Sequence, residues 1–230
     1  MWLAAILVSV ARAASAQDDL VVEQALHYFT RHDPGGIFEQ FESVRPAAVS
    51  DAERGRILAT LPAEGNKRDL STAQLAKLVA VRRVLELHRR DAVYVIRIIE
   101  IPQAAVALHA RAVVLVSEPA LDLLGADELQ AVVAHEIGHE YFWSEYVSAR
   151  RDTSPSLLWR LELLCDGFAV ITLARAGVSP ARLTSALEKI LRFNRDRFGV
   201  ARNEGDYPAA IDRRRFVGHL VEWLERSRPQ

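Results

Sequence analysis

Residues 126–145 of the chain read ADELQAVVAHEIGHEYFWSE and contain the motif HEIGH at positions 135–139. Residues four apart on a helix lie on the same face, one turn above each other. Two histidines in this arrangement can bind one metal ion, and the glutamate after the first histidine can reach a water on the open coordination position. The motif therefore predicts a hydrolytic metal site, with His135 and His139 as ligands and Glu136 as general base.

The flanks of the motif favour an amphipathic helix. Asp127 can act as an N-cap, with Gln130 three residues later as its capping-box partner. An apolar stripe follows at helical spacing, formed by Leu129, Val132, Val133 and Ile137. The alternative interpretation is a core helix with two incidental histidines. That helix would bury two imidazoles and a carboxylate side by side without partners, which is costly.

Length and composition favour one domain with a substantial core. The chain has 230 residues, and 50% of them are apolar. The formal net charge of -1, from 29 basic and 30 acidic residues, gives no reason to expect a nucleic-acid partner or an anionic membrane surface. The single cysteine, Cys165, excludes an intramolecular disulfide, and its apolar surroundings predict a small buried residue.

The first 16 residues have the pattern of a signal peptide. Residues 2–10 form a short apolar run, and Ala14-Ser15-Ala16 gives the small-x-small pattern of a cleavage site before Gln17. No later stretch approaches about 18 uninterrupted apolar residues, so no membrane span is expected in the mature chain. The mature protein is therefore expected to be exported, to the periplasm or the medium. The alternative is an uncleaved N-terminal anchor, because the first residues carry little positive charge.

Residues 17–92 read as the helical N-terminal region of the same domain. One candidate helix covers residues 18–32 and is broken by the stretch Asp33-Pro34-Gly35-Gly36. Ser50 and Ser71 each begin a capping signature for a further helix. The helix after Ser71 is expected to extend to about Arg90. Its predicted buried stripe consists of Leu75, Leu78, Val79, Val84, Leu85 and Leu87.

The remainder, residues 93–230, reads as the core of the domain. Runs rich in β-branched residues predict about three strands, at 93–101, 104–108 and 112–116. Helical patterns return after the motif helix, over about 156–175, 180–197 and 209–226. The fold class expected is therefore α+β, mainly helical, with a small sheet before the motif helix.

A third metal ligand is expected, because catalytic zinc sites usually keep three protein ligands and one water. The helix at 157–171 is apolar nearly all round, yet it carries Glu162 and Asp166 four residues apart on one face. Glu162 fits the third ligand, and Asp166 fits an acceptor for the second N–H of a histidine. Alternatively, both acids could pair with arginines such as Arg160 or Arg175. Glu140 and Glu145 are expected to be solvated or salt-bridged helix residues.

The motif HExxH followed on a later helix by ExxxD is similar to the gluzincin metallopeptidases. The chain in particular resembles the family of HtpX and the CAAX prenyl proteases, which has soluble periplasmic members. The resemblance covers roughly residues 93–220 and includes the strand pair before the motif helix and the Gly-x-x-Pro turn at 177–180. It implies a zincin-like fold, one zinc ion per chain and a protein or peptide substrate.

Three departures from that family stand out. Only 22 residues lie between His139 and Glu162, which is shorter than usual, and Cys165 replaces the usual alanine. The family's His-Pro-x4-Arg element is present here as Tyr207-Pro208 followed by Arg213. The resemblance implies that Arg213 acts near the reacting carbonyl, where the Tyr207 hydroxyl could also donate to an oxyanion. The alternative for Tyr207 is an ordinary turn residue before proline.

These features predict a zinc-dependent endopeptidase that hydrolyses exported or envelope proteins through a zinc-activated water. The substrate would lie extended along the edge strand that precedes the motif helix. The alternative function is a zinc-containing chaperone-like or binding protein of the envelope with little or no proteolysis, suggested by the short ligand spacing and the altered His-Pro element.

Overall fold

A computed structural model describes residues 19–61, 69–152, 154–199 and 208–226. Over these residues the chain forms ten helices and one three-stranded sheet, which confirms the α+β class expected from the sequence. The elements are α1 (19–30), α2 (Pro34–Ser43), α3 (Asp51–Thr60), α4 (Thr72–Leu87), β1 (Val95–Ile99), β2 (Val106–His109), β3 (Val113–Ser117), α5 (Glu118–Leu123), α6 (Ala126–Tyr141), α7 (Trp143–Asp152), α8 (Pro155–Ala176), α9 (Ala181–Phe198) and α10 (Ala210–Arg226). The predicted signal peptide and Tyr207 lie outside the described residues.

Local capping explains where the N-terminal helices begin. Ser71 and Gln74 form a reciprocal capping box at the start of α4, with bonds of 3.2 and 2.9 Å. The Ser50 hydroxyl caps α3 in the same way. Asp33-Pro34, predicted only as a break, both ends the helical run of α1 and begins α2. The Asp33 carboxylate accepts from a backbone N–H of the first turn, and Pro34 occupies that turn without needing a partner for its nitrogen.

The buried face of α4 differs from the predicted stripe. Leu75 and Val79 are 49% and 61% exposed. Val84 and Leu85 are buried as predicted, and Val81, which was not in the predicted stripe, is buried with them. Polar contacts to α5 fix this orientation: the Gln74 amide donates to Asp122 over 2.7 Å, and the Lys77 ammonium donates to the Leu121 carbonyl over 2.6 Å. Because these contacts also come from the inner side of α4, the periodicity of apolar residues placed Leu75 and Val79 on the wrong face.

The sheet has the strand order β1-β3-β2. β1 is parallel to β3, with Val95 opposite Val113, and β2 is antiparallel to β3, with Val106 opposite Val116. β2 therefore lies at an edge, with one side free of strand partners among the residues that the structure describes. That side faces α6, because the Leu108 N–H donates to a side chain of α6. The sheet thus brings an edge strand alongside the motif helix.

One hydrophobic core joins the N-terminal helices to the rest of the chain. Its fully buried aromatic side chains come from α1, α2, α8 and α10: Phe29, Phe41, Phe168 and Phe216. Phe29 packs directly on Gly167 of α8, where a Cβ atom would lie only 2.3 Å from the phenyl ring. Helices α1, α2 and α4 therefore cover one side of α8, a helix that is buried along residues 161–173.

Glu140, at the end of α6, is the centre of a buried ionic cluster. Its carboxylate accepts from the Arg90 guanidinium over 2.9 Å, from the Tyr94 hydroxyl, and from Arg111 over 3.3 Å. The carboxylate is fully buried, so Glu140 is one of the salt-bridged residues that the sequence allowed for. Arg111 belongs to the turn between β2 and β3. The cluster therefore fixes the turn that ends β2 to the residue following His139.

We predict that Glu140→Ala lowers the free energy of unfolding by about 3–5 kcal/mol, since it leaves Arg90 buried without its counter-charge. Urea denaturation followed by circular dichroism measures this change. Glu145→Ala, which removes an exposed carboxylate from the next helix, is the matched control and should change stability by less than about 0.5 kcal/mol. Equal stability of the two variants would contradict a stabilising role for the cluster.

His88 is a buried neutral residue between α4 and α8. Its Nε2 lies 2.9 Å from the Thr172 hydroxyl, and its ring stacks on Phe168 with centroids 4.7 Å apart. Burial, aided by the positive charges of Arg45 and Arg90, lowers the pKa of His88 to about 3. The folded protein therefore holds this imidazole uncharged at every pH near neutrality.

This burial predicts a dependence of stability on pH. The unfolded chain binds a proton at His88 below about pH 6.5, whereas the folded chain does not. Stability from this group is therefore fully present above pH 6.5 and is lost towards pH 3, by about 1.4 kcal/mol per pH unit. Between pH 6 and 4, the unfolding free energy of His88→Leu should therefore depend less steeply on pH than that of wild type, by about 1.4 kcal/mol per pH unit. The exposed His219→Leu variant provides the control, and an identical slope in His88→Leu and wild type would contradict the prediction.

Candidate metal centre

Helix α6 carries the two histidines and begins earlier than the sequence suggested. The predicted Asp127–Gln130 capping box is wrong: Gly125 is the N-cap, and its N–H donates to the Glu128 carboxylate over 2.9 Å. The Glu128 carboxylate also accepts hydrogen bonds from Ser185 and Lys189 of α9, over 2.6 and 2.8 Å, and these bonds hold it in this position. The start of the motif helix is thus fixed by tertiary contacts that local patterns do not contain.

The histidines and Glu162 converge as predicted from the sequence. His135 Nε2 lies 3.5 Å from Glu162 Oε2, and His139 Nε2 lies 3.6 Å from Glu162 Oε1. The two imidazole rings are nearly perpendicular, with an interplanar angle of 86°. Ligand atoms of His135, Glu136 and His139 also lie within 4.8 Å of one another. These three side chains could hold a metal ion.

Asp166 lies behind His135, away from Glu162. Its Oδ1 is 2.9 Å from His135 Nδ1, so the two groups form an ion pair when the imidazole is protonated. Arg213 of α10 donates to both oxygens of Asp166, over 2.7 and 2.5 Å. Asp166 therefore has both of the partners that the sequence offered as alternatives, a histidine and an arginine.

Arg213 reaches the centre through Asp166. Its guanidinium is buried and lies 3.8 Å from the nearest Glu162 oxygen. Among the described residues, Arg213 is not one of those that line the cleft. The expected contact with a reacting carbonyl remains a prediction, but this geometry favours a positioning role. Tyr207, the other expected donor, lies outside the described residues.

The electrostatics of the centre are dominated by buried pairs. Burial alone would raise the pKa of Glu162, but His135, Arg213 and His139 lower it to about 2. Burial alone would lower the pKa of His135, but Asp166 and Glu162 raise it to about 9. Burial raises and Arg213 lowers the pKa of Asp166, with a net decrease. Both carboxylates are therefore ionised at neutral pH, and a metal ion would replace a proton on His135.

Cys165 contributes a contact that sequence reasoning missed. It is fully buried, as predicted, but its Sγ lies 3.4 Å from His139 Nδ1. The thiol thereby occupies the place beside His139 that Asp166 occupies beside His135. The signal was present in the spacing, since Cys165 is three residues after Glu162 and shares its side of α8.

Gly138 is the position where α6 and α8 touch most closely. A Cβ atom there would lie 3.0 Å from the Cys165 Cα and 3.2 Å from its Cβ. Since the nearer of these atoms is backbone, no side-chain rotation could relieve the contact. The glycine within the motif therefore allows α8 to bring Glu162 up to the two histidines.

The side chains of His135, Glu136, His139 and Glu162 open on a cleft of about 380 Å³. β2 forms one wall and helices α7 and α8 form the other, and the remaining lining residues are Val106, Ala107, Leu108, His109, Ala110, Trp143, Tyr146, Arg150, Leu158 and Leu161. Glu136 lies at the base of the β2 wall, where its Oε2 accepts from the Leu108 N–H over 3.1 Å. Helix α7 was not predicted from the sequence, so its three cleft-lining residues were not among the expected site residues.

No protein-family model and no curated protein matches the chain. Within the described ranges, no helix combines the length and apolarity that crossing a bilayer requires.

The close contact at Gly138 generates a prediction. Gly138→Ala should lower the free energy of unfolding by about 1–3 kcal/mol, because α8 must move away to admit the methyl group. Displacement of Glu162 should also weaken metal binding, roughly tenfold. Denaturation and titration with a metal in competition with a chromophoric chelator measure the two effects.

Gly55→Ala is the matched control for this substitution. Gly55 lies within helix α3, and a Cβ there meets no atom within 4 Å. Replacing it with alanine should raise stability by about 0.5–1 kcal/mol through the helix propensity alone. If both alanine variants were more stable than wild type, the close helix contact would be refuted.

Proposed function

We propose that this chain is a zinc-dependent endopeptidase of the gluzincin type, acting on exported or envelope proteins. The observation that carries the proposal is the position of Glu162, whose two oxygens face the Nε2 atoms of both motif histidines. The resemblance to the HtpX and CAAX prenyl protease family supports the same activity. The apolar run at residues 2–10 and the site before Gln17 support export.

The geometry fits one zinc ion per chain. A tetrahedral zinc site with ligand distances of about 2.0–2.1 Å places neighbouring ligand atoms about 3.4 Å apart. The separations of 3.5 and 3.6 Å between Glu162 and the two imidazoles are close to this value. They are also longer than a charge-assisted hydrogen bond, which normally measures about 2.7–2.9 Å. Two histidines and one glutamate are a ligand set of catalytic zinc sites.

Each step of hydrolysis has a candidate residue in the chain. A bound zinc ion would lower the pKa of a water molecule and would polarise the scissile carbonyl. Glu136 accepts a proton from the attacking water as the new C–O bond forms at the carbonyl carbon. The same carboxyl group then gives this proton to the amide nitrogen as the C–N bond breaks. Water and peptide are thereby converted to a carboxylic acid and an amine.

The residues behind the ligands hold the imidazoles in place. Asp166 faces Nδ1 of His135, and Arg213 holds both oxygens of Asp166, so the carboxylate cannot rotate without breaking a bidentate pair. Cys165 faces Nδ1 of His139. These contacts leave Nε2 of each histidine for the metal and orient the rings towards Glu162.

The edge strand provides a surface for an extended peptide. In an antiparallel strand the N–H and C=O of one residue point to the same side, and this side alternates along the chain. The carbonyls of Ala105 and His109 accept from Ser117 and Ala112, so they point towards β3. Val106 and Leu108 therefore point towards the cleft, as the contact of Leu108 with Glu136 requires. A substrate strand would pair with these two residues, and it would have to take the Leu108 N–H from the Glu136 carboxylate, which is then free to accept a proton from water.

Glu136→Gln tests the proposed chemistry. The amide cannot accept the proton of the attacking water, so cleavage of a casein or peptide-library substrate should fall by roughly 10²–10⁴-fold. Elemental analysis of the purified variant should still give one zinc ion per chain, because Glu136 is not one of the proposed ligands. Wild-type cleavage should stop on addition of a chelator and return with zinc.

Unchanged proteolysis in Glu136→Gln would refute the role of this residue. Stoichiometric zinc in a wild-type protein that cleaves no peptide would instead favour the chaperone-like or binding function. Absence of bound zinc would refute the metal centre itself, and His135→Ala, which removes one ligand, sets the background for that measurement.

A further inference from the structure

We propose that the cleft selects substrates carrying a carboxylate group, which Arg150 binds beside an aromatic or apolar side chain held on Trp143 and Tyr146. This inference names the substrate class of the same cleft and rests on the proposed peptidase function. Its starting point is the cleft wall formed by α7.

Helix α7 presents an aromatic and cationic face to the cleft. Trp143, Tyr146 and Arg150 line the cleft and recur at three- and four-residue spacing, which places them on one side of the helix. The Trp143 and Tyr146 rings stack, with centroids 5.0 Å apart and an interplanar angle of 25°. The Arg150 guanidinium carbon lies 5.6 Å from the centre of the Tyr146 ring. The face is therefore a flat apolar surface that ends in a positive charge.

Arg150 lacks an acidic partner among the residues that the structure describes. Its neighbour Arg151 is within 3.1 Å of Asp152, whereas the Arg150 guanidinium contacts the aromatic face of Tyr146. Trp143 is also open to solvent, with 42% of its surface exposed. A guanidinium beside an aromatic ring remains free to receive a planar carboxylate through two parallel N–H bonds.

The charge balance of the cleft makes Arg150 decisive for selection. The two positive charges of a bound zinc ion are matched by Glu136 and Glu162, and the charge of Asp166 is matched by Arg213. Arg150 is then the remaining arginine, lysine or carboxylate side chain among the described lining residues whose charge has no counterpart. A negatively charged group on the substrate would therefore be attracted, and a positively charged one would be repelled.

The length of this face sets where the carboxylate would lie on the substrate. Arg150 follows Trp143 by seven positions in the sequence, which corresponds to about 10 Å along a helix axis. An extended peptide advances about 3.3 Å per residue. The carboxylate is therefore expected within about three residues of the side chain that contacts Trp143.

A set of matched fluorogenic peptides tests this proposal. Each peptide is amidated at its C-terminus and carries one glutamate at a successive position, with a glutamine peptide as its partner. We expect one position at which glutamate gives about a fivefold higher kcat/KM than glutamine, mainly through KM. The ratio should fall between 50 and 500 mM NaCl, because the pair is partly exposed to solvent.

Two further arms identify the source of the carboxylate and the residue that binds it. A neutral peptide with a free C-terminus, compared with its amide, distinguishes a chain terminus from an acidic side chain, and a preference in either arm supports carboxylate selection. Arg150→Gln should bring the preferred ratio close to one, and Arg150→Glu should reverse it towards lysine. Arg151→Gln, on the same helix but outside the cleft wall, should retain the wild-type ratio.

A binding measurement separates this proposal from the peptidase proposal. The zinc-loaded Glu136→Gln protein binds peptide without turnover, so fluorescence anisotropy gives the Kd ratio of glutamate and glutamine peptides even if no cleavage is found with wild type. A ratio near five that is lost on adding Arg150→Gln supports the inference. Equal Kd values in every peptide pair, or a preference that persists in Arg150→Gln, would overturn it.

Discussion

The close contact of α6 and α8 at Gly138 is the constraint on which the site depends. One helix carries two imidazoles and the other carries a carboxylate, and neither helix alone could hold a metal ion with three ligands. Because Gly138 has no side chain, the backbone of α8 at Cys165 comes so close to α6 that a methyl group on residue 138 would crowd it. Because α8 is buried along residues 161–173, the apolar core presses the two helices together and thereby maintains the spacing of their polar atoms.

The charged groups of the site are stabilised by chains of contacts that reach distant elements. Asp166 connects His135 to Arg213 on α10, and Glu140 connects the end of α6 to Arg90 and Arg111. Buried ions are costly when unpaired, so each of these partners is required once its acid lies in the core. The same contacts define the orientation of the two motif histidines, since helix α6 is fixed at its start by Glu128 and at its end by Glu140.

The sequence predicted the parts of the site that depend on position along one helix. The spacing of His135 and His139, and that of Glu162 and Asp166, follows from helix geometry and needs no knowledge of the tertiary fold. The meeting of Glu162 with the histidines could be expected because a buried carboxylate on an apolar helix requires a partner. The small sheet was also predictable, from runs of β-branched residues.

Other features depend on contacts between distant residues, which a single sequence does not reveal. α7 has a largely polar sequence, and its place in the cleft wall depends on its packing against α8, a helix distant from the motif in sequence. The pairing of Asp166 with Arg213 joins residues 47 apart, and several other arginines were equally plausible from the sequence. Leu75 and Val79 are exposed because polar contacts of Gln74 and Lys77 orient α4.

The contact between Leu108 and Glu136 has a consequence for solubility. An open edge strand can recruit a strand from another copy of the chain, which is a common route to aggregation. Here the inward N–H of β2 meets a carboxylate, and the strand is only four residues long. The side chain proposed as the base thus also discourages self-association, because a second copy would have to displace a charged group to pair with this edge.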